Sequence, residues 1–229
     1  MEGIDTSSTL WLWIVRLPPL VFAITVHEVA HGLVAKRLGD PTAAEAGRLS
    51  LNPIRHVDPI GTIVVPILLY MFSPILLGWA KPVPVNFARL NSPKRDMIWV
   101  AAAGPASNIA MAWIWCALIW LLAENIIPIG GTSGEWLYQM AWFGIVVNVF
   151  LAVFNLVPLP PLDGGRVLAG LLPEPGPSVL RRIEPFGILI VLGILLLDFY
   201  TSVDVVVPYL LVPVSQVTGF FMGLAGVPY

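Results

Sequence analysis

Leu17-Pro-Pro-Leu-Val-Phe-Ala-Ile-Thr-Val-His27-Glu28-Val29-Ala30-His31 sets two imidazoles and a carboxylate inside an apolar run long enough to cross a membrane. On a helix, HExxH puts its histidines at i and i+4, on one face, where both can bind one zinc ion. The glutamate between them is then placed as general base toward a water that the ion activates. In a soluble helix such a pentapeptide often has no metal. Within hydrocarbon, uncompensated ionisable groups are costly, so the cluster marks a functional site.

Composition agrees with the setting. Of 229 residues, 57% are hydrophobic and 11% are charged, with a mean hydropathy of +0.84. An ordinary soluble domain is roughly 25% charged. The expected fold is an all-α polytopic membrane protein of four to six transmembrane helices. A membrane-dipping hairpin and short extended segments near the active site complete it. We treat 1–229 as one membrane-embedded domain, with a catalytic core over about 17–170 and C-terminal helices over about 184–226. Cys116 is the single cysteine, which excludes an internal disulfide and a cysteine-based zinc site. A net charge of −2, with no basic tract beyond loop clusters, gives no footing for nucleic acid. The acidic start Met1-Glu-Gly-Ile-Asp5 lacks the basic flank of a signal peptide, so the first apolar run is expected to be retained.

Apolar runs occupy about 10–38, 59–78, 97–123, 136–160, 184–201 and 205–226. Lys36, Arg37, Arg48 and Arg55 follow the first, and Lys81, Arg89, Lys94 and Arg95 follow the second. Arg166, Arg181 and Arg182 follow the fourth, and Arg16 stands alone. The positive-inside rule then puts the loops at 39–58, 79–96 and 164–183 in the cytoplasm. That solution requires 59–78 to enter and leave on one side. Gly61, Pro66, Pro74 and Gly78 interrupt the run as a hairpin would need. A plain spanning helix is the alternative, and 205–226 is left open between spanning and interfacial.

A catalytic zinc takes three protein ligands and keeps one open position. His56, the third histidine, lies in a polar loop, so the best remaining donor is Asp163. It sits in Asn155-Leu-Val-Pro158-Leu-Pro160-Pro161-Leu-Asp163-Gly164-Gly165. Both this segment and His31 fall near the cytoplasmic ends of their runs, at matching depth. Read alone, Asp-Gly-Gly is also a tight turn after a helix. The prolines predict an extended chain whose free N–H and C=O groups can pair with an unwound substrate, and Asn155 can bond that substrate's backbone. Asn155 can equally be a polar helix end. Gly104-Pro-Ala-Ser-Asn108 carries Ala102, Ala106 and Ala110 as a small-residue ridge for helix packing. Asn108 is expected to face the zinc site and donate to an oxyanion.

HExxH in a membrane helix, GPxxN in the next and NxxPxPPLDGG in the third, in that order, resemble the site-2 protease family of intramembrane zinc metalloproteases. The resemblance covers about residues 17–170. It implies one zinc per chain held by His27, His31 and Asp163, with Glu28 as base and Asn108 and Asn155 at the active site. It also implies cleavage within or near transmembrane segments of membrane-protein or peptide substrates, at a site facing the cytoplasm of a prokaryotic cell. Lipid is the other expected partner, nucleic acid is not one, and the oligomeric state stays open. Neither a PDZ insertion nor a CBS tail is visible, as in a compact, mostly prokaryotic branch. Leu51-Asn-Pro-Ile-Arg-His56-Val-Asp58-Pro-Ile-Gly-Thr62 resembles the same branch. His56 and Asp58 there either line the site or order a loop. Lys81-Pro-Val-Pro-Val-Asn86 reads as a short extended segment. The rival readings are a zinc-binding transporter or scaffold, and a zinc hydrolase of lipid esters. The outer halves of the helices offer almost no polar path for a transporter apart from the face around Asn148.

Overall fold

The computed structural model describes residues 9–65, 67–68, 78–201 and 204–227. Eight α-helices occur among the described residues: α1 (Thr9–Arg37), α2 (Thr42–Glu45), α3 (Pro93–Ala123), α4 (Gly131–Leu156), α5 (Asp163–Leu171), α6 (Gly176–Ile183), α7 (Gly187–Tyr200) and α8 (Val212–Leu224). No strand occurs among the described residues. Among the described residues, five segments are long and apolar enough to cross a membrane: α1, α3, α4, Gly176–Tyr200 through α6 and α7, and Val207–Leu224 ending in α8.

Local chemistry sets the ends of these helices. α1 closes on Lys36 and Arg37, cations that suit the negative end of a helix dipole. α3 starts four residues before the apolar run that announces it. Pro93 occupies its first turn, where a missing N–H costs nothing, and Asp96 reaches back to the Ser92 N–H at 2.7 Å. α4 stops at Leu156 because Pro158, Pro160 and Pro161 cannot continue it.

α1, α3 and α4 form the central layer. Ala23, Met111 and Val147, one from each helix, meet in a buried cluster. On the other side of α3 and α4, Ala112, Cys116, Ile119, Ala141, Ile145 and Val149 pack against Val214, Phe221 and Met222 of α8. The last apolar run is therefore a packed member of the bundle rather than an interfacial strip. The Gly176–Tyr200 segment stands at the periphery, with only 6% of its apolar window buried.

The expected hairpin at 59–78 lies partly outside the described residues. Its start is a turn of π-helix over Pro59–Val64, capped by the Asp58 carboxylate on the N–H groups of Ile60 and Gly61. Its two ends meet. The Trp79 N–H donates to the Gly61 carbonyl at 3.1 Å, and the Thr62 hydroxyl donates to the Trp79 carbonyl at 2.9 Å. One crossing would hold these ends apart by about 30 Å of hydrocarbon, whereas here they are joined by hydrogen bonds.

All three basic loops gather at that same end of the bundle. The Asn91 N–H donates to the Leu38 carbonyl at 2.9 Å, Arg48 Nη2 to the Lys81 carbonyl at 2.8 Å, and Lys94 Nζ to the Leu172 carbonyl at 2.7 Å. Buried Asp40 is the knot between the first two loops. Its carboxylate accepts from the Thr42 hydroxyl and N–H and from the Asn86 N–H, with Arg89 close by. Burial opposes its ionisation, but these donors and the guanidinium outweigh burial and hold the carboxyl below its ordinary range.

Candidate metal centre

His27 and His31 lie in the inner half of α1, ten and six residues before its end at Arg37, or about 15 and 9 Å along the axis. Asp163 is the first residue of α5, delivered to the same depth by the proline turn after α4. His27 Nε2 and His31 Nε2 are 3.1 Å apart, and Asp163 Oδ2 lies 3.2 Å from the first and 3.3 Å from the second. Gly164 makes this delivery possible: a Cβ there would sit 2.3 Å from the Leu156 carbonyl oxygen.

The protons decide what this triangle is. His31 Nδ1 lies 2.7 Å from the Val100 carbonyl, which can only accept, so Nδ1 carries the proton and Nε2 presents a lone pair. His27 Nδ1 lies 2.6 Å from Asn108 Oδ1, and the same follows. Asp163 Oδ2 is shielded from solvent and receives no hydrogen bond. Three acceptor atoms thus converge with no proton between them, an arrangement that repels itself unless a cation sits among them. Zinc bonds of about 2.0 Å give a tetrahedron with edges of about 3.3 Å, close to the three spacings seen. The donor set of two imidazoles and a carboxylate suits zinc, and each imidazole has the outer partner that fixes a metal-binding tautomer.

Gly104 of α3 forms the floor. A Cβ built on it would lie 2.4 Å from His31 Nε2 and 2.6 Å from His27 Nε2, so both rings occupy space that any side chain here would fill. Glu28 is half-buried beside the triangle, and its Oε2 accepts from the Val83 N–H at 2.8 Å. The expected extended stretch Lys81–Asn86 therefore runs past the glutamate.

Several expectations need correction. Asn108 does not offer an amide proton to an oxyanion. Its Oδ1 faces His27, while Nδ2 donates to Asn148 Oδ1 at 2.9 Å and toward the Ala23 carbonyl at 3.4 Å. The proline segment is not an open strand either. The N–H groups of Val157, Leu159 and Leu162 close on the carbonyls of Phe154, Val157 and Leu159, because consecutive prolines bend the chain into turns. For His56, the structure favours the loop-ordering alternative over a site-lining one. The residue is 3% exposed and donates from Nε2 to the Ser50 carbonyl at 2.8 Å, a bond within its own loop. Asn155 is half-buried on α4, seven residues beyond Asn148, and its Nδ2 donates to the Leu151 carbonyl at 3.0 Å.

Four participants escaped the sequence reading: the Gly104 floor, the Val100 carbonyl, the Val83 N–H and Asn148. Asn148 alone left a usable trace, as an amide in the middle of an apolar run.

Comparison with known proteins supplies the family. The model of peptidase family M50 matches residues 125–197, which include Asp163 but not the α1 histidines. YwhC of Bacillus subtilis strain 168, provisionally named a zinc metalloprotease, is 37% identical over 173 residues, 76% of each chain. Rip2 of Mycobacterium tuberculosis strain Erdman, with the same provisional description, is 29% identical over 188 residues, 80% of this chain and 66% of its own. The zinc metalloprotease MJ0392 of Methanocaldococcus jannaschii is 22% identical over 170 residues, 74% of this chain and 38% of its own. No solved structure gives a significant match. With five apolar spans and this kinship, the protein is an integral membrane zinc metalloprotease and belongs to peptidase family M50, the site-2 protease family.

Proposed function

We propose that this metalloprotease is an intramembrane endopeptidase that cuts peptide bonds within or near transmembrane segments of other membrane proteins. One zinc per chain is held by His27, His31 and Asp163. The observation that carries the reading is the convergence of three buried acceptor atoms inside an apolar bundle, with Glu28 adjacent. A bound zinc supplies Lewis acidity toward the scissile carbonyl and lowers the pKa of a water molecule toward neutrality.

The residues of the chain do the rest. Glu28 takes the proton of the attacking water and returns it to the leaving amine. The Val83 N–H fixes the carboxylate beside the site. Asn155 and the carbonyls of the proline turn offer polar contacts to an unwound substrate backbone. Helix dissolution must precede cleavage, since a spanning helix hides its amides in internal hydrogen bonds. The gathering of basic loops at the end nearest the triangle supports a cytoplasm-facing site in a prokaryotic plasma membrane.

The test is a pair of variants in detergent with a transmembrane test substrate. Glu28→Gln is expected to keep its zinc and lose cleavage, while Asp163→Ala is expected to lose most of the zinc. Turnover by Glu28→Gln at the wild-type rate rejects Glu28 as base, and full zinc in Asp163→Ala removes it from the ligand set.

A further inference from the structure

Asn148 is fully buried on α4 and touches none of the three converging atoms. Its place is at the end of a directed chain. Asn148 Nδ2 donates to the Gly144 carbonyl at 2.8 Å, Asn108 Nδ2 donates to Asn148 Oδ1 at 2.9 Å, and His27 Nδ1 meets Asn108 Oδ1 at 2.6 Å.

We propose that Asn148 is a positioning residue for the metal centre, holding His27 through Asn108 in the tautomer that leaves Nε2 open to the metal. This deepens the proposed function and rests on zinc ligation by His27.

The two ends of an amide have nearly the same shape, so packing barely distinguishes Asn108 from its flipped form. Flipped, Asn108 would turn an N–H toward His27 Nδ1 and drive the imidazole proton to Nε2. That proton would close the ligand position. What forbids the flip is chiefly Asn148 Oδ1 at 2.9 Å, which can receive only a donor, with the longer 3.4 Å contact to the Ala23 carbonyl acting in the same sense. Asn148 is oriented in turn by the Gly144 carbonyl, a backbone group that can only accept. Every link from Gly144 to His27 therefore has a single permitted direction. His31 needs no relay, because the Val100 carbonyl meets its Nδ1 directly. This difference explains why a buried pair of amides, expensive in an apolar bundle without water, stands behind one histidine and not the other. Chained hydrogen bonds also polarise one another, which favours the lone pair on Nε2.

The experiment measures zinc affinity of the purified full chain by competition with a chromophoric chelator, and ligand geometry by visible absorption of the cobalt(II) form. Asn148→Leu keeps volume and helix formation but deletes the relay. It is expected to retain the helical circular dichroism while binding zinc about tenfold more weakly, with an altered cobalt spectrum. Asn108→Asp offers His27 an oxygen whichever way it turns. In that background Asn148→Leu is expected to change zinc affinity by less than about twofold. If Asn148→Leu does not accumulate, Asn148→Ala carries the same comparison. Wild-type affinity and an unchanged cobalt spectrum in the deletion variant overturn the relay. An equal loss in both backgrounds also overturns it, making Asn148 a packing residue. Failure of the wild-type chain to bind zinc strikes the underlying ligand assignment instead, so the two failures are distinct.

Discussion

Gly104→Ala tests the centre with a single methyl group. The added Cβ would stand 2.4 Å from His31 Nε2 and 2.6 Å from both Cε1 and Nε2 of His27. Comfortable contact begins near 3.5 Å, so one or both rings must retreat by about 1 Å. Neither ring is a loose chain end, since each is tethered through Nδ1, to the Val100 carbonyl and to Asn108. A zinc site tolerates about 0.2 Å in its ligand distances, so a shift of this size breaks it. The bundle itself should survive. Overpacking costs about 1–3 kcal/mol, and replacing glycine by alanine within a helix returns about 1 kcal/mol. The expected protein is folded, with a net destabilisation of about 0–2 kcal/mol, most of its zinc lost, and proteolysis reduced at least about 100-fold. Elemental analysis after dialysis, together with gel-based cleavage of a transmembrane substrate, reads both outcomes. Gly223→Ala on α8 is the control, because nothing lies within 4 Å of its added Cβ, and it should keep zinc and activity. Full zinc at wild-type affinity in Gly104→Ala would refute the account of the floor.

Three further outcomes follow from other parts of the molecule. Replacing Gly, Pro or Asn in a substrate's transmembrane segment by Leu should slow cleavage, and restoring one should rescue it, since such residues lower helix stability by about 0.7 kcal/mol for Asn, about 1 for Gly and about 3 for Pro; an all-Leu segment cut as fast as its parent would remove unwinding as the selecting step. Single cysteines at Ser50, Ser92 and Ser178 in a Cys116→Ala background should resist an impermeant thiol reagent on intact cells, and labelling of Ser92→Cys from outside would break the one-sided placement of the loops. The tie made by Asp40 depends on pH with a definite sign. Its folded pKa lies below the ordinary 3.8, so its stabilisation is complete above that value and is lost as pH falls through the depressed one. The protection of the Asn86 amide against hydrogen exchange, taken relative to the intrinsic rate at each pH, should hold from neutral pH to about 4 and fall only below it, whereas loss of protection at pH 6 would refute the role of the carboxylate.

The reach of the sequence had a physical boundary. Periodicity and charge bias are properties of single segments, and both were legible. HExxH fixes two imidazoles on one helix face whatever surrounds them, and eleven of the twelve basic residues lie in or beside three loops, which is the basis for the proposed sidedness. Asp163 was legible because few other donors remained at that depth. Helix starts were less so, because polar first turns such as Lys94-Arg95-Asp96 lie outside a hydropathy window while still belonging to the helix.

What the sequence hid was the choice of partner between segments. Asn108 carries a donor and an acceptor on one side chain, and its neighbours decide which of them faces the metal. Those neighbours are Asn148, 40 positions further along the chain, and His27, 81 positions back. The prolines at 158, 160 and 161 forbid helix, but they leave extended chain and turns equally open. Gly104 was legible only as the first residue of the GPxxN stretch, beside the ridge of Ala102, Ala106 and Ala110, and close packing is what it does. The partners, however, are the imidazoles and not only a neighbouring helix backbone. Each of these readings named a correct local preference and lacked a long-range contact. A site drawn from α1, α3, α4 and α5 is assembled from such contacts, so its candidate ligands could be named from motifs while the atoms that orient them had to be seen in place.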